Sequence, residues 1–367
     1  MPNNFTQGLP EGFEEIYPIR RGATIAAVDW NRPARPIDLE VWQKQTSNFW
    51  LPEKIPLSND LKSWDLLDEG TQKVVTHSLA SLTRLDTLQA EFGAPCLLSS
   101  PGITPHESAN LSFITGMEAV HARSYSSIFS TLLPSEKIDE TFKLANEDDL
   151  LSSEMDYFII AYQAHLIDLL SDSLPGPTLT ALKAATSVLL ESFLFYTGFY
   201  PVLKLAAEAK LTNTADIIRL IMRDEAVHGF YIGGIFERLR ESALENAEDT
   251  TVAEDIWLKV ESYIEDSIEG LFNAEKQRIE QYYSWSDVCK GWIPDVLQFL
   301  GYNAKMAGSN LGDSGYAKYI GDYGDNVSAV ILSQLSTVSD ENHDYFSGSG
   351  SAYVNGVVES ITDDDWD

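Results

Sequence analysis

Two segments of this chain spell the same tetrapeptide, Glu118-Ala-Val-His121 and Glu225-Ala-Val-His228. Residues three apart on a helix share a face about one turn from each other, so each copy can present a carboxylate and an imidazole to one ion. A lone Glu-x-x-His arises easily by chance and reads as a surface ion pair or a core histidine. Two copies in apolar surroundings reverse that reading. Each is preceded by a helical stretch carrying one more carboxylate: Asp86, 32 residues before Glu118, and Glu191, 34 residues before Glu225. A four-helix bundle in which two helices each give a carboxylate and two each give Glu-x-x-His holds a pair of iron or manganese ions. Four carboxylates and two imidazoles offset two divalent charges with hard oxygen and borderline nitrogen donors. The competing reading of Asp86 or Glu191 taken singly is a buried carboxylate paired with Arg84 or Arg123.

The rest of the chain supplies the helices. From Thr71 to about Val202, and again from Thr212 to about Gln281, apolar residues recur at three- and four-residue spacing, with no sustained two-residue alternation. The fold class is therefore all-α. Pro and Gly mark breaks at Gly93-Ala-Pro95, Ser100 to Pro105 and Leu174 to Pro177, and Leu211-Thr-Asn213 offers caps for a long helix. Val188 to Leu203 approaches the roughly 20 apolar residues of a membrane span. Glu191 lies inside it and Lys204 closes it, which fits the central helix of a bundle better. The chain divides into an N-terminal extension (1–25), a helical domain (26–339), and an acidic tail (340–367). The tail's Ser-Gly repeats and terminal aspartates cannot close a core and read as flexible.

Charge and cysteine content narrow the function classes. A net charge of -31 disfavours phosphate backbones and anionic lipid surfaces, so neither nucleic acid nor membrane is expected as a partner. Two cysteines without CxxC spacing give no disulfide framework, and the first residues lack a basic segment followed by an apolar run. Both point to the cytoplasm. Tyr125 lies four residues after His121 and seven after Glu118, on the same helical face, so its phenol should sit beside the ions. It is either a core tyrosine bonded to a ligand such as Asp86, or a redox tyrosine oxidised to a radical. Phe195, Phe199 and Ile221 would keep such a radical dry.

Met117 to Thr131, Leu190-Glu-Ser-Phe-Leu-Phe-Tyr196, Thr212 to Arg219 and Arg223-Asp-Glu-Ala-Val-His-Gly229 closely resemble the radical-generating small (beta) subunit of class I ribonucleotide reductase, specifically class Ib. Thr46 to Lys54 and Asp340 to Gly350 extend the likeness, which runs from about Val28 to the C-terminus.

The resemblance implies a ferritin-like four-helix bundle core with additional helices around a dimetal carboxylate site. It implies that Asp86, Glu118, His121, Glu191, Glu225 and His228 bind two iron or two manganese ions per chain and that Tyr125 carries the radical. Asp224 and Trp50 match the family's relay from His121 toward the surface. Their plainer readings are a carboxylate that orients His121 and a packed indole. Tail Tyr353, or less favourably Tyr345, matches the bridge to the catalytic large (alpha) subunit, where ribonucleoside diphosphates are reduced to deoxyribonucleotides. Further implied are a homodimer, docking of the large subunit through the tail, and a flavodoxin-like activator for a dimanganese centre. The rival readings are a stand-alone ferritin-like dimetal oxidase or oxygenase, a metal-storage bundle, and a helical scaffold with coincidental repeats.

Overall fold

The computed structural model describes residues 27–98, 100, 102–162 and 176–339. The readings placed on residues 1–25, on most of 164–177, and on the tail with Tyr345 and Tyr353 lie outside the described residues. Among the described residues the secondary structure is entirely helical. Helix α1 spans Pro36–Ser47 and leads through the short turns Pro52–Lys54 and Leu57–Asp60 into α2, Leu61–Trp64. Then come α3 (Glu69–Leu88), a π turn (Gln89–Gly93), α4 (Ala94–Leu98), α5 (Pro105–Leu132), α6 (Ser135–Asn146) and α7 (Asp149–Tyr162). Helix α8 (Gly176–Leu189) passes through a second π turn (Leu190–Leu194) into α9 (Phe195–Ala206). The long pair α10 (Thr212–Glu245) and α11 (Thr250–Tyr283) precedes α12 (Asp287–Lys290), α13 (Ile293–Asn310) and α14 (Ala329–Ser339).

Four helical rods form the central bundle: α3, α5, the α8–α9 run, and α10. Helices α3 and α5 pack together, as do α8 and α10, and α5 also touches α10. Two side-chain ties fix the direction of α5 against α10. Arg238 donates from Nε and Nη2 to the two oxygens of Glu107, each at 2.7 Å, while His121 Nε2 lies 3.2 Å from Asp224 Oδ2. Fourteen residues forward on α5 are matched by fourteen backward on α10, so the helices run antiparallel over about 21 Å. The start of α5 is held by a capping box: Thr104 accepts from the Glu107 amide at 3.2 Å, and Glu107 accepts from the Thr104 amide at 2.8 Å.

The α8–α9 run, Gly176–Ala206, is long and apolar enough to cross a membrane, but 89% of its most apolar window is packed inside the chain. It is the bundle's inner rod. Helix α10 approaches the π turn of this run closely because Gly229 has no side chain: a Cβ there would lie 2.1 Å from Ser192 Oγ. Gly233 plays the same part against the end of α13, where a Cβ would meet the Asn310 carbonyl oxygen at 2.0 Å.

Two sequence expectations are corrected. Gly93-Ala-Pro95 does not break the chain, since the π turn runs directly into α4 with Pro95 as its second residue. The change of hydrogen-bond register leaves an amide unneeded there, and proline lacks one. Nor do Thr212 and Asn213 cap α10. Leu211 precedes the helix in the left-handed region at φ 51°, and the buried Asp60 supplies the cap from a distant part of the chain. Its Oδ1 accepts from the Asn213 amide at 3.1 Å, and its Oδ2 accepts from the Thr214 amide at 2.7 Å and the Thr214 hydroxyl at 2.8 Å. The carboxylate also meets the positive end of a 34-residue helix. Asp60→Ala is expected to lower the stability of the metal-free chain by about 1–2 kcal/mol, read as a shift in the urea midpoint; an unchanged midpoint would remove this role.

Candidate metal centre

Asp86 stands in the last turn of α3, Glu118 and His121 at the middle of α5, Glu191 in the second π turn, and Glu225 and His228 on α10. All six converge. Asp86, Glu118, His121 and Glu225 offer ligand atoms within 4.8 Å of one another, and so do Glu118, Glu191, Glu225 and His228. Glu118 and Glu225 belong to both groups, which places them between two positions for ions. His121 Nδ1 lies 3.5 Å from Asp86 Oδ1, 3.7 Å from Glu118 Oε2 and 3.1 Å from Glu225 Oε1. His228 Nδ1 lies 2.9 Å from Glu118 Oε1, 3.4 Å from Glu191 Oε2 and 3.3 Å from Glu225 Oε2. The imidazole rings are near parallel, 26° apart with centroids 6.0 Å from each other.

These side chains are sealed from solvent, none of them more than 1% exposed. Neither arginine weighed from the sequence pairs with Asp86 or Glu191. Arg84 donates to the Ala145 carbonyl at 2.6 Å and to Ser152, and Arg123 donates to Glu53 at 3.1 Å. Both oxygens of Asp86 and of Glu118, together with Glu191 Oε2, Glu225 Oε1 and His121 Nδ1, have no aligned hydrogen-bond partner despite their close approach. Lone pairs that face a common centre instead of one another are the arrangement a cation satisfies. Four buried carboxylates without one would be prohibitive as anions. The donors present therefore fit two divalent ions, and the chemistry of the set suits iron or manganese.

The protonation directions in the ion-free cluster express the same strain. Burial raises the Asp86 carboxyl well above its usual range against the opposing pull of His121, and burial with the charges of Glu118 and Glu225 does the same to Glu191. For Glu225, burial is outweighed by the close approach of the Glu191 carboxyl and by the charge of His121, and its pKa falls. Both histidines rise: burial opposes their charge, but Glu225 and Asp224 outweigh it at His121, and Glu191 and Glu118 at His228.

Around the ligands, three further groups have defined places. Tyr125 is fully buried and its hydroxyl forms no aligned hydrogen bond. Burial, then the charges of Asp86, Glu225 and Glu118 and a hydrogen bond toward Asp86, push this phenol well above its usual pKa, so it stays a neutral phenol. Phe195, Phe199 and Ile221 are equally buried. On the outer side of His121, Nε2 faces Asp224 Oδ2 at 3.2 Å, and Trp50 Nε1 donates to that same oxygen at 2.7 Å. The indole stacks on the His121 ring at 22° with a 6.0 Å centroid separation. Trp50 is itself buried but flanked by the exposed Phe49 and Leu51. With an ion bound, donation from Nε2 to the Asp224 carboxylate would fix the His121 tautomer that turns the Nδ1 lone pair inward.

The sequence reading passed over Gln89. Its Nε2 donates to Glu191 Oε1 at 2.6 Å, and its Oε1 accepts from the Tyr162 hydroxyl at 2.9 Å. The available signal was spacing, since Gln89 lies three residues after Asp86 and so continues the ligand face of α3. The two π turns were equally unread. Each begins within three residues of a carboxylate of the centre, where such bulges re-aim side chains.

A helical bundle enclosing four carboxylates and two histidines around two ion positions defines a ferritin-like dimetal carboxylate protein. Residues 27–318 match the family model described as ribonucleotide reductase, small chain. The beta subunit of ribonucleoside-diphosphate reductase 2 from Escherichia coli is 42% identical over 342 residues, covering 93% of this chain and 98% of that protein. The NrdF2 beta subunit from Mycobacterium tuberculosis is 43% identical over 343 residues, covering 94% and 97%. Among solved structures, the dimanganese(II) NrdF of Streptococcus sanguinis aligns with a TM-score of 0.70 at 35% identity, covering 85% of this chain and 100% of that one. The chain belongs to the ribonucleotide reductase small-chain family, in the NrdF-type class Ib branch.

Proposed function

We propose that this chain serves class Ib ribonucleoside-diphosphate reductase by generating and storing a radical on Tyr125, beside two iron or two manganese ions. Asp86, Glu118, His121, Glu191, Glu225 and His228 would hold them. The observation that carries the reading is the convergence of those six side chains around partnerless donor atoms, with Tyr125 fully buried one turn beyond His121 on the same helix. When bound, the ion pair would supply oxidising power only after an external oxidant, dioxygen for iron or the oxidant delivered with the flavodoxin-like activator for manganese, had taken electrons from it; the oxidised pair could then accept one electron from the phenol as its proton leaves. The protein's part is confinement and conduction. A fully buried ring whose hydroxyl has Asp86 beside it and no access to solvent has little to react with, which is what storage requires. The run His121, Asp224, Trp50 offers a hydrogen-bonded path from the centre to just under the surface.

Beyond Trp50, the reading assigns the next step to Tyr353, with Tyr345 as the second choice, and so to the large subunit. Residues 26–339 act as the radical-generating domain, 1–25 as an extension, and 340–367 as the segment that docks on the large subunit. A few aromatics among many acidic residues suit a segment that orders on a partner. The chain works as a homodimer in the cytoplasm, and a flavodoxin-like activator serves the manganese form. The S. sanguinis relative is a dimanganese(II) protein, and this donor set accepts either metal.

Reconstitution with iron(II) or manganese(II), with and without a reduced flavodoxin-type protein, followed by electron paramagnetic resonance, tests the centre. A tyrosyl signal is expected with at least one metal; two bound ions and no radical under any condition would refute storage at Tyr125. A peptide of residues 340–367 is expected to inhibit the holoenzyme by competition, and failure to inhibit would remove docking through the tail.

A further inference from the structure

We infer that Gln89 is a positioning residue that fixes which oxygen of Glu191 faces the metal centre, with Tyr162 and Gly93 holding Gln89 itself in place; the inference rests on Glu191 being a metal ligand. Gln89 is fully buried at the first position of the π turn after α3, and Glu191 is the second residue of the other π turn. The two turns face each other through one bond, Gln89 Nε2 to Glu191 Oε1 at 2.6 Å.

An amide can be turned end for end at little steric cost, so its orientation must come from chemistry. Here both ends are specified. As a metal ligand Glu191 would be an ionised carboxylate, which only accepts, so the NH2 end faces it, as the 2.6 Å bond has it. The carbonyl end accepts from Tyr162 at 2.9 Å, and the same phenol lies 3.1 Å from Ser187 Oγ, four residues before Glu191 on α8. With the serine donating to the phenol and the phenol to the amide, every proton in the chain Ser187, Tyr162, Gln89, Glu191 points toward the carboxylate.

Gly93 closes the arrangement from below. A Cβ at this position would lie 1.7 Å from Gln89 Oε1 and 2.4 Å from Cδ, a distance no side chain tolerates. The amide therefore lies across the bare backbone of its own turn. The result is an asymmetric carboxylate: Oε1 is engaged, while Oε2 has no hydrogen-bond partner and stands 3.4 Å from His228 Nδ1. Without the amide, rotation about the last carboxylate torsion would exchange the two oxygens. The ion position shared by Glu191 and His228 would then lose its preset donor, while the position at Asp86 and His121 would keep its own.

The test is calorimetric titration of the metal-free full-length chain with manganese(II), together with thermal melts. Gln89→Leu and Gly93→Ala, the second of which retains the glutamine but displaces it, are each expected to weaken one of the two ions by about 10- to 100-fold and leave the other unchanged. Tyr162→Phe, which removes only the hydroxyl, should act in the same direction and guards against failure of the other two to fold. Equal weakening of both ions together with a lowered melting temperature would mean a general structural role and overturn the inference. Glu191→Ala separates the two levels. If it loses one ion while all three other variants bind both as the wild type does, the positioning role falls and the ligand reading stands. If Glu191→Ala itself binds both ions normally, the ligand reading fails.

Discussion

Replacing Tyr125 with phenylalanine is expected to leave the chain folded and able to take up two ions, and to abolish both the tyrosyl signal and nucleotide reduction. The two halves of this expectation come from different observations. Stability should hold because the phenol oxygen makes no well-aligned hydrogen bond, Asp86, the acceptor that acts on it, is a carboxylate that bound ions would satisfy, and the phenyl ring refills the same buried volume. Substitutions that neither open a cavity nor orphan a polar group usually stay within about 0.5 kcal/mol. Activity should vanish because phenylalanine has no hydroxyl proton to lose and cannot form a phenoxyl. Metal analysis, a thermal melt and the paramagnetic spectrum of the same sample decide the matter. A radical of unchanged lineshape in Tyr125→Phe would place the stored equivalent elsewhere.

Interrupting the outer run should produce the complementary phenotype. Trp50→Phe keeps an aromatic ring but removes the indole N–H that donates to Asp224 Oδ2, and Asp224→Asn places an amide where a carboxylate accepts from both His121 and Trp50. Each is expected to preserve ion loading and radical yield while lowering turnover with the large subunit by about 100-fold or more, the scale on which a misplaced proton-transfer partner acts. Asp224→Asn carries an additional expectation. The asparagine amide can present its NH2 to the histidine and favour the other tautomer, so the paramagnetic properties of the ions should shift even where the radical yield does not. Normal turnover in both variants would confine Trp50 and Asp224 to packing and to orienting His121. Arg223 bears on the choice of variant, because its Nη2 lies 3.5 Å from Asp224 Oδ1 while it donates to the Asn48 carbonyl at 2.6 Å. Loss of the Asp224 charge would leave that guanidinium with its backbone partner.

What could be read from the residues alone was what repeats over short distances. Glu118 with His121 and Glu225 with His228 declare themselves because three-residue spacing on a helix is a statement about direction. Asp86 and Glu191 were found by their offset from those pairs. Tyr125 came from the same helical arithmetic. Features that depend on partners distant in the chain were invisible. Asp60 caps a helix that begins 152 residues later, and nothing around Leu211 shows that its own Thr212 and Asn213 would be left out. The π turns were missed for another reason. An inserted residue rotates the remainder of its helix by about a third of a turn, yet the apolar pattern around Glu191 is buried on all sides and so conceals the change of phase. Gly93-Ala-Pro95 has the composition of a break, and its actual use, clearing space for an amide, is visible only once Gln89 is seen lying over it.

The donor set is nearly a mirror of itself, but its wiring is not. His121 faces Asp224 and an indole beneath exposed residues with its outer nitrogen, whereas His228 Nε2 meets no hydrogen-bonding group among the described residues, and there the path from Glu191 through Gln89 and Tyr162 ends at Ser187 in the interior. The two similar halves of the ligand set thus differ in what lies behind them, and on the proposed reading one serves as an outlet and the other as a blind end. Charge leaving the centre would then have a preferred direction before any partner arrives to collect it.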